Sequence, residues 1–378
     1  MKIALVNPFS FVYQGGVQEH IKALYRFLKK KGHLVKVLAP RQSRQENYGE
    51  DFWLFGSSIV VPGNDSRVSL SYCFPSEIED SIKRMDFDIF HFHSFLPFFP
   101  FQVLNIVKSK DKVTVMTSHS NIEGSFFATV FGTVTELVID SFVGQMDGVI
   151  SVSKAGEKLV KNFKGSRVII PNGIDTLKFN PDVPPISKFQ DGKINILFVG
   201  RLDRRKGPQF LLPAFEELRK KHENVRLIVV GDGFLKEELF GVVKRHNIED
   251  VVFVGEVKAE KTPGYYATAD IFCAPSIRGE TFGIILLEAM ASGVPIVASD
   301  IEGYREVVPK EADEFLVKPE RPDLLFLALT KLVEDKDLRS KFSKIGVAHA
   351  ENYDWEIVGD KIFNFYLSVM KNKQENSG

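Results

Sequence analysis

Cysteine is nearly absent: Cys73 and Cys273 are the only two in 378 residues, and they sit far apart in the chain. That excludes a disulfide framework or a cysteine-built metal site, and it suits a reducing compartment. Net charge is absent as well, with 49 Lys+Arg against 49 Asp+Glu, so no global field draws the chain to nucleic acid. No apolar run reaches the roughly 18 residues of a membrane-spanning helix. The longest apolar, aromatic stretch, Phe95 to Phe101, is broken by Pro97 and Pro100. The first residues pass directly into Ile3-Ala4-Leu5-Val6, without the charged, apolar and small-residue regions of a secretory leader. A cytoplasmic protein is expected, at most peripheral at the inner face of the cytoplasmic membrane. No His, Cys or carboxylate cluster with metal spacing is evident, so neither metal nor cofactor is expected. No internal repeat is found, and the GxGxxG of nicotinamide-dependent dehydrogenases is missing.

What is present is a soluble globular composition, 44% hydrophobic and 26% charged, long enough for two domains. Short apolar strands alternate with helix-period segments. In the first half the strands are Ile3–Val6, His33–Leu38, Ile59–Val61, Ile89–His93, Val113–Thr117, Gly148–Ser153 and Val168–Ile170. Pro171-Asn172-Gly173 then marks a turn, and Phe179 to Gly192, with three prolines, reads as a connection. The alternation restarts at Ile194–Val199 and continues through Arg226–Val230, Val251–Val257, Asp270–Ala274, Ile296–Ser299 and Phe315–Val317. Such alternation predicts parallel sheets in an α/β fold with two Rossmann-like halves.

The chain is organised around residues 273–300, CAPSIRGETFGIILLEAMASGVPIVASD. A buried strand ends in Pro275-Ser276, and a loop with Gly279 leads to Glu280. A helix follows, with Phe282, Ile285, Leu286, Ala289 and Met290 on one face, and Gly293 closes it. The loop falls outside a strand's carboxyl end, where open parallel sheets bind ligands. Unpaired backbone N–H groups from Phe282 through Gly283 and Ile284 to Ile285 make a phosphate site. Glu280 beside that site reads as an acceptor for sugar hydroxyls or a stabiliser of positive charge. It reads equally as an ordinary first-turn acid, and Glu288 as a solvated helix residue.

Other segments converge on the same chemistry. Gly200-Arg201-Leu202-Asp203-Arg204-Arg205-Lys206-Gly207 places four cations at a strand end, where diphosphate recognition wants fixed charges, although solvated surface cations are the ordinary reading. Gly15-Gly16 at the first strand-to-helix turn lets backbone approach a ligand, or serves as a tight turn. His119 ends a strand, where it suits packing as well as catalysis. His91 and His93 alternate with aromatics and read as structural.

Glu280-(x7)-Glu288 within its flanking residues closely resembles the signature of retaining glycosyltransferases of family four, which have the GT-B fold. NPFSFVYQGGVQEH, GHLVKVLAP, IPNGID and YDW resemble the branch that mannosylates phosphatidylinositol, and the likeness spans nearly the whole chain. It implies two Rossmann-like domains facing across a cleft. Residues 1–170 would form the acceptor-side domain, with 356–378 crossing back onto it, and 171–355 the donor domain. It implies Arg201 and Lys206 on the donor diphosphate with backbone near Gly16 and Ile284, the base near Val257, and Glu288 on the ribose. Glu280 and His119 would orient the sugar, and Gln18 and Arg67 would meet the acceptor. Arg204 and Arg205 have no such counterpart. The donor would be a nucleotide diphosphate sugar, with GDP-mannose favoured over a UDP-sugar.

The acceptor is expected to be lipid-linked or a saccharide, with weak membrane contact. In the branch, docking uses a basic amphipathic helix, whereas Ser76–Met85 here carries three acids and two cations. Residues 1–170 hold 20 Lys+Arg against 16 Asp+Glu, and Glu123-Gly124 stands where the branch has a lysine. Phe95 to Phe101 and Ser125-Phe126-Phe127 offer apolar surface or core. A sugar-nucleotide 2-epimerase of the same fold is the alternative, disfavoured by the acidic pair with its Arg/Lys clamp. A two-domain solute-binding protein would need the missing leader.

Overall fold

The computed structural model describes residues 1–12, 15–43, 45–63, 66–94, 99–108, 112–119 and 136–377, and the side chains of 58–72 and 376–377 stand outside that description. The chain divides into two compact units, Met1–Gly173 with Trp355–Gly378, and Ile174–Asp354.

The first unit holds Lys2–Val6 (β1), Leu34–Pro40 (β2), Phe52–Phe55 (β3), Ser57–Gly63 (β4), Ser66–Tyr72 (β5), Ile89–Phe92 (β6), Val113–Ser118 (β7), Gly148–Ser151 (β8) and Ser166–Ile169 (β9). Seven of these form one parallel sheet in the order β3-β2-β1-β6-β7-β8-β9, while β4 and β5 pair antiparallel by themselves. The apolar runs are continuous because both sheet faces are covered. Ala4 and Val6 of β1 join one core cluster with Phe90, Phe92 and Met116, and Ile3 and Leu5 join the other with Val35, Val37 and Val115. Helix Gly16–Lys30 buries Ile21, Leu24, Phe27 and Leu28. The C-terminal helix Trp355–Ser377 buries Val358, Ile362, Tyr366 and Val369 in the same cluster. The 4-4-3 spacing of those four puts them on one face, and each buried side chain contributes about 1.5–3 kcal/mol.

Strands β3 and β5 and helix Phe99–Lys108 are absent from the expectations. Phe52-Trp53-Leu54-Phe55 is a four-residue apolar run without alternation, too short to mark a strand by itself; β3 is an edge strand with Phe52 and Trp53 half-buried and Leu54 and Phe55 buried. Phe99 and Phe101 pack in or against the core; residues 95–98, like 120–135 with Glu123-Gly124 and Ser125 to Phe127, lie outside the described residues.

The second unit holds Ile194–Val199 (β10), Val225–Val230 (β11), Val251–Gly255 (β12), Ile271–Ala274 (β13), Ile296–Ser299 (β14) and Leu316–Val317 (β15). Its parallel sheet runs β12-β11-β10-β13-β14-β15. This is the doubly wound order, and the strand order reverses between β10 and β13, the place where such sheets bind ligands. The ends of the unit are tied by a bridge between Ile174 and Asp354. The strand read as Val251–Val257 stops at Gly255, whose positive φ of 82° turns the chain, so Val257 belongs to the following loop.

Candidate active site

At the reversal point of the second sheet the basic run acquires a fixed shape. β10 ends at Val199, and Asp203 caps the short helix Arg204–Lys206, its Oδ1 accepting from the Lys206 N–H at 3.0 Å. Asp203 is buried, and its Oδ2 lies 3.3 Å from Arg201 Nη2 and 3.5 Å from Arg205 Nη2. One buried carboxylate therefore orients two guanidinium groups. Arg205, read as ordinary, is held further, because its carbonyl accepts from the Ile277 N–H at 2.7 Å. Arg204 is an exposed surface cation paired with Glu238.

Gly207 follows at φ 73°, and a Cβ there would lie 1.9 Å from the Pro275 carbonyl oxygen. Only glycine permits that approach, and it draws the loop after β10 against the loop after β13. Lys206 Nζ consequently reaches Glu280 Oε1 at 2.6 Å, with both side chains less than one-fifth exposed. Two residues that stand apart in sequence as separate motif elements form one ion pair. Ser276 Oγ donates to the same carboxylate oxygen at 3.4 Å and lies 2.8 Å from the Tyr304 hydroxyl. Burial and the Glu280 charge push the Tyr304 phenol well above its ordinary pKa, so it stays protonated and donates to Ser276. The relay Tyr304 to Ser276 to Glu280 fixes the carboxylate, and Gly303 lets the backbone of Glu280 pass at 2.1 Å from where a Cβ would stand.

Helix Ile284–Ala291 starts two residues later than Phe282, with Gly283 at its N-cap in the left-handed region at φ 81°. Phe282 is buried, so its backbone and not its ring is available to an anion. Glu288 stands on that helix, and its Oε2 accepts from the buried Tyr266 hydroxyl at 2.7 Å. Nothing in the sequence singles out Tyr266 or Tyr304, which the fold brings to Glu288 and to Ser276, whereas Ser276 lies in the same loop as Glu280. Removing one hydrogen bond to a charged acceptor costs about 1.5–3 kcal/mol. Tyr266→Phe is therefore expected to lower unfolding stability by about 2 kcal/mol in urea titration, with a native circular dichroism spectrum.

In the first unit, Gly16 opens its helix with open space around it, and Gln18 is buried, its amide donating to the Ser10 carbonyl at 3.5 Å. Arg67 lies on β5, where side chains stand outside the description. His119 directly follows β7 and is half-buried. Its Nε2 lies 3.2 Å from His93 Nδ1, so His93, read from sequence as a separate structural residue, touches it. His91 is held on both nitrogens, by Thr117 Oγ1 and by the Tyr366 hydroxyl, each at 2.6 Å. His20 Nδ1 meets Asn172 Oδ1 at 3.0 Å, and the His20 ring lies edge-on to His119. Burial lowers the pKa of His20 to about 4, and it lowers His91, His93 and His119 well below the ordinary histidine value, so all four are neutral.

Sheet order, switch-point cations and acidic pair fit a glycosyltransferase fold. Residues 14–178 match the model described as Glycosyltransferase Family 4, and residues 180–348 match Glycosyl transferases group 1. A phosphatidyl-myo-inositol mannosyltransferase of Mycobacterium tuberculosis (strain CDC 1551 / Oshkosh) is 32% identical over 98% of this chain and 97% of its own. The chain belongs to the GT-B glycosyltransferases of family four. Among solved structures, a sucrose-phosphate synthase from Thermosynechococcus elongatus has a TM-score of 0.77 at 20% identity, covering 98% of this chain and 99% of its own. Anabaena Alr3699/HepE in complex with UDP and glucose has a TM-score of 0.74 at 18% identity, covering 97% of this chain and all of its own.

Proposed function

We propose that this glycosyltransferase moves a hexose, mannose before glucose, from a nucleotide diphosphate sugar to a membrane lipid acceptor with retention of configuration. The observation that carries the reading is the Lys206–Glu280 pair at the sheet's reversal point, beside Arg201 and the N-terminus of helix Ile284–Ala291. The donor diphosphate takes Arg201, Lys206 and the N–H groups of Gly283 and Ile284. Charge growing on the leaving phosphate is where such fixed donors lower the barrier most. Glu280 meets the sugar as positive charge develops on its ring, and Glu288, oriented by Tyr266, takes the ribose hydroxyls. The base lies near Val257. The family resemblance would assign Gly16 and His119 of the first unit to the donor, and Gln18 and Arg67 to the acceptor.

The name of the mycobacterial relative supports phosphatidylinositol as the first acceptor to try and mannose as the first sugar, and GDP-mannose is the donor that the family resemblance favours. A panel of GDP- and UDP-sugars, read by product mass with and without lipid acceptors, tests the reading. Mannosyl lipid from GDP-mannose supports it, and epimerised nucleotide sugar with no transfer overturns it.

Membrane contact is expected to be weak and insensitive to salt. Helix Pro75–Met85 buries Ile78 and Ile82, and on its outer side Lys83 is paired with Glu79 at 2.9 Å beside the exposed Glu77 and Asp80. Each cation facing an anionic leaflet adds only about 1 kcal/mol, and these acids offset it. Among the described residues no helix is long and apolar enough to cross a membrane. Vesicle co-sedimentation checks this; strong binding that needs anionic lipid and vanishes in high salt contradicts it.

A further inference from the structure

We propose that His20, His93 and His119 form a binding site for one late first-row divalent cation, of which Zn²⁺ is the representative. Among the described residues these three are brought together with one ligand atom each, all within 4.8 Å of one another. They come from three places: helix Gly16–Lys30, the residue directly after β6, and the residue directly after β7. Sequence spacing therefore shows nothing of the cluster.

Three details favour a cation over a packed aromatic group. First, the His93 Nδ1 to His119 Nε2 separation is 3.2 Å. Two imidazole nitrogens sharing a tetrahedral zinc at 2.0–2.1 Å stand about 3.3 Å apart. Second, the Asn172 carboxamide oxygen can only accept, so His20 carries its proton on Nδ1 and turns a lone pair outward from Nε2. That Nε2 is buried and has no hydrogen-bond partner, an arrangement that costs free energy unless something occupies it. Third, His93 is fully buried and its Nε2 also lacks a partner, so the ring can move its proton there when Nδ1 becomes a ligand.

Binding needs no net proton release. Whichever ring holds the proton between His93 and His119 moves it to its other nitrogen, and the three imidazoles stay neutral. Burial already keeps them in that form, the one that ligates metal. Three neutral imidazoles with no carboxylate select Zn²⁺, Cu²⁺, Ni²⁺ or Co²⁺ over Mg²⁺ and Ca²⁺. His119 is the half-buried member, so a water completes the fourth position on its side. The site stands on the first unit's geometry and does not depend on which sugar or acceptor is used.

The test uses the full chain without a histidine tag, stripped with chelator, titrated with Zn²⁺ by calorimetry and with Co²⁺ by visible absorption. The expected result is one ion per chain, with the intense visible bands of tetrahedral Co²⁺ and no heat from Mg²⁺. His20→Gln is expected to weaken Zn²⁺ at least about 100-fold, and Asn172→Leu, which frees the His20 tautomer, about 10-fold. His93 is buried deeply enough that its substitution can unfold the unit, so those two variants carry the test, each checked by circular dichroism. His246→Gln, at a surface histidine beside Glu216, should change nothing. No binding, multisite millimolar binding, or a site lost in His246→Gln and kept in His20→Gln overturns the proposal.

Discussion

Glu280→Gln is expected to fold normally and lose about 30- to 1000-fold in turnover. The substitution keeps shape and leaves an oxygen to accept from Ser276, so the relay from Tyr304 retains its geometry. Only the charge disappears. A preorganised charge aimed where the transition state changes its own is worth about 2–4 kcal/mol, and each 1.4 kcal/mol is tenfold in rate. The loss should appear in kcat with donor affinity little changed, since a charge that acts on the reacting sugar matters least in the ground state. Steady-state kinetics with a fixed acceptor read both parameters. Near-normal turnover by a variant that binds donor removes Glu280 from the chemistry.

Lys206→Met is expected to be the costliest single change at the site for stability. It leaves the Glu280 carboxylate, itself only 15% exposed, without its cation. Breaking a buried pair from one side costs 3–5 kcal/mol, and the partial exposure here places the loss near the bottom of that range, at about 3 kcal/mol. The loss has a signature: adding Glu280→Gln should restore about half of it, because the stranded charge is then gone. Urea denaturation of the two single variants and the double variant closes the cycle. Strict additivity would mean that the 2.6 Å contact contributes nothing in solution.

The elements that sequence made legible are those whose signals are local. Apolar runs such as Ile196–Val199 and Ile296–Ala298 mark strands buried on both faces, and the strands Ile194–Val199 and Ile296–Ser299 appear where expected. The acidic pair and the basic run were equally plain, since each motif lies within one loop and one helix. What stayed hidden depends on strand order. Lys206 and Glu280 meet because β10 and β13 are neighbours, and no spacing within the chain encodes that. Tyr266 and Tyr304 carry ordinary sequence contexts, and their roles arise from hydroxyls turned toward Glu288 and, through Ser276, toward Glu280. Arg205 looked like its exposed neighbour Arg204, yet its backbone is tied to Ile277 and its side chain to Asp203. His20 and His93 were hidden for the same reason, with a helix and a strand each supplying one unremarkable histidine. The helix boundary near Phe282 was misplaced because Gly283 takes a left-handed conformation, which caps the helix and does not extend it.

The claim on which the rest depends is that the cations beside β10 hold a diphosphate. Calorimetry with GDP and with guanosine, and with UDP and uridine, on the unaltered chain and on Arg201→Ala tests it most directly. Arg201 is oriented by Asp203, whereas Glu280 is held by Lys206 and Ser276, whose contacts the substitution does not remove. The account predicts that the diphosphate loses about 10- to 100-fold in affinity, as expected for a charge-assisted contact of about 1.5–3 kcal/mol, while the nucleoside is unchanged. Equal losses for diphosphate and nucleoside, or no loss for either, would contradict it.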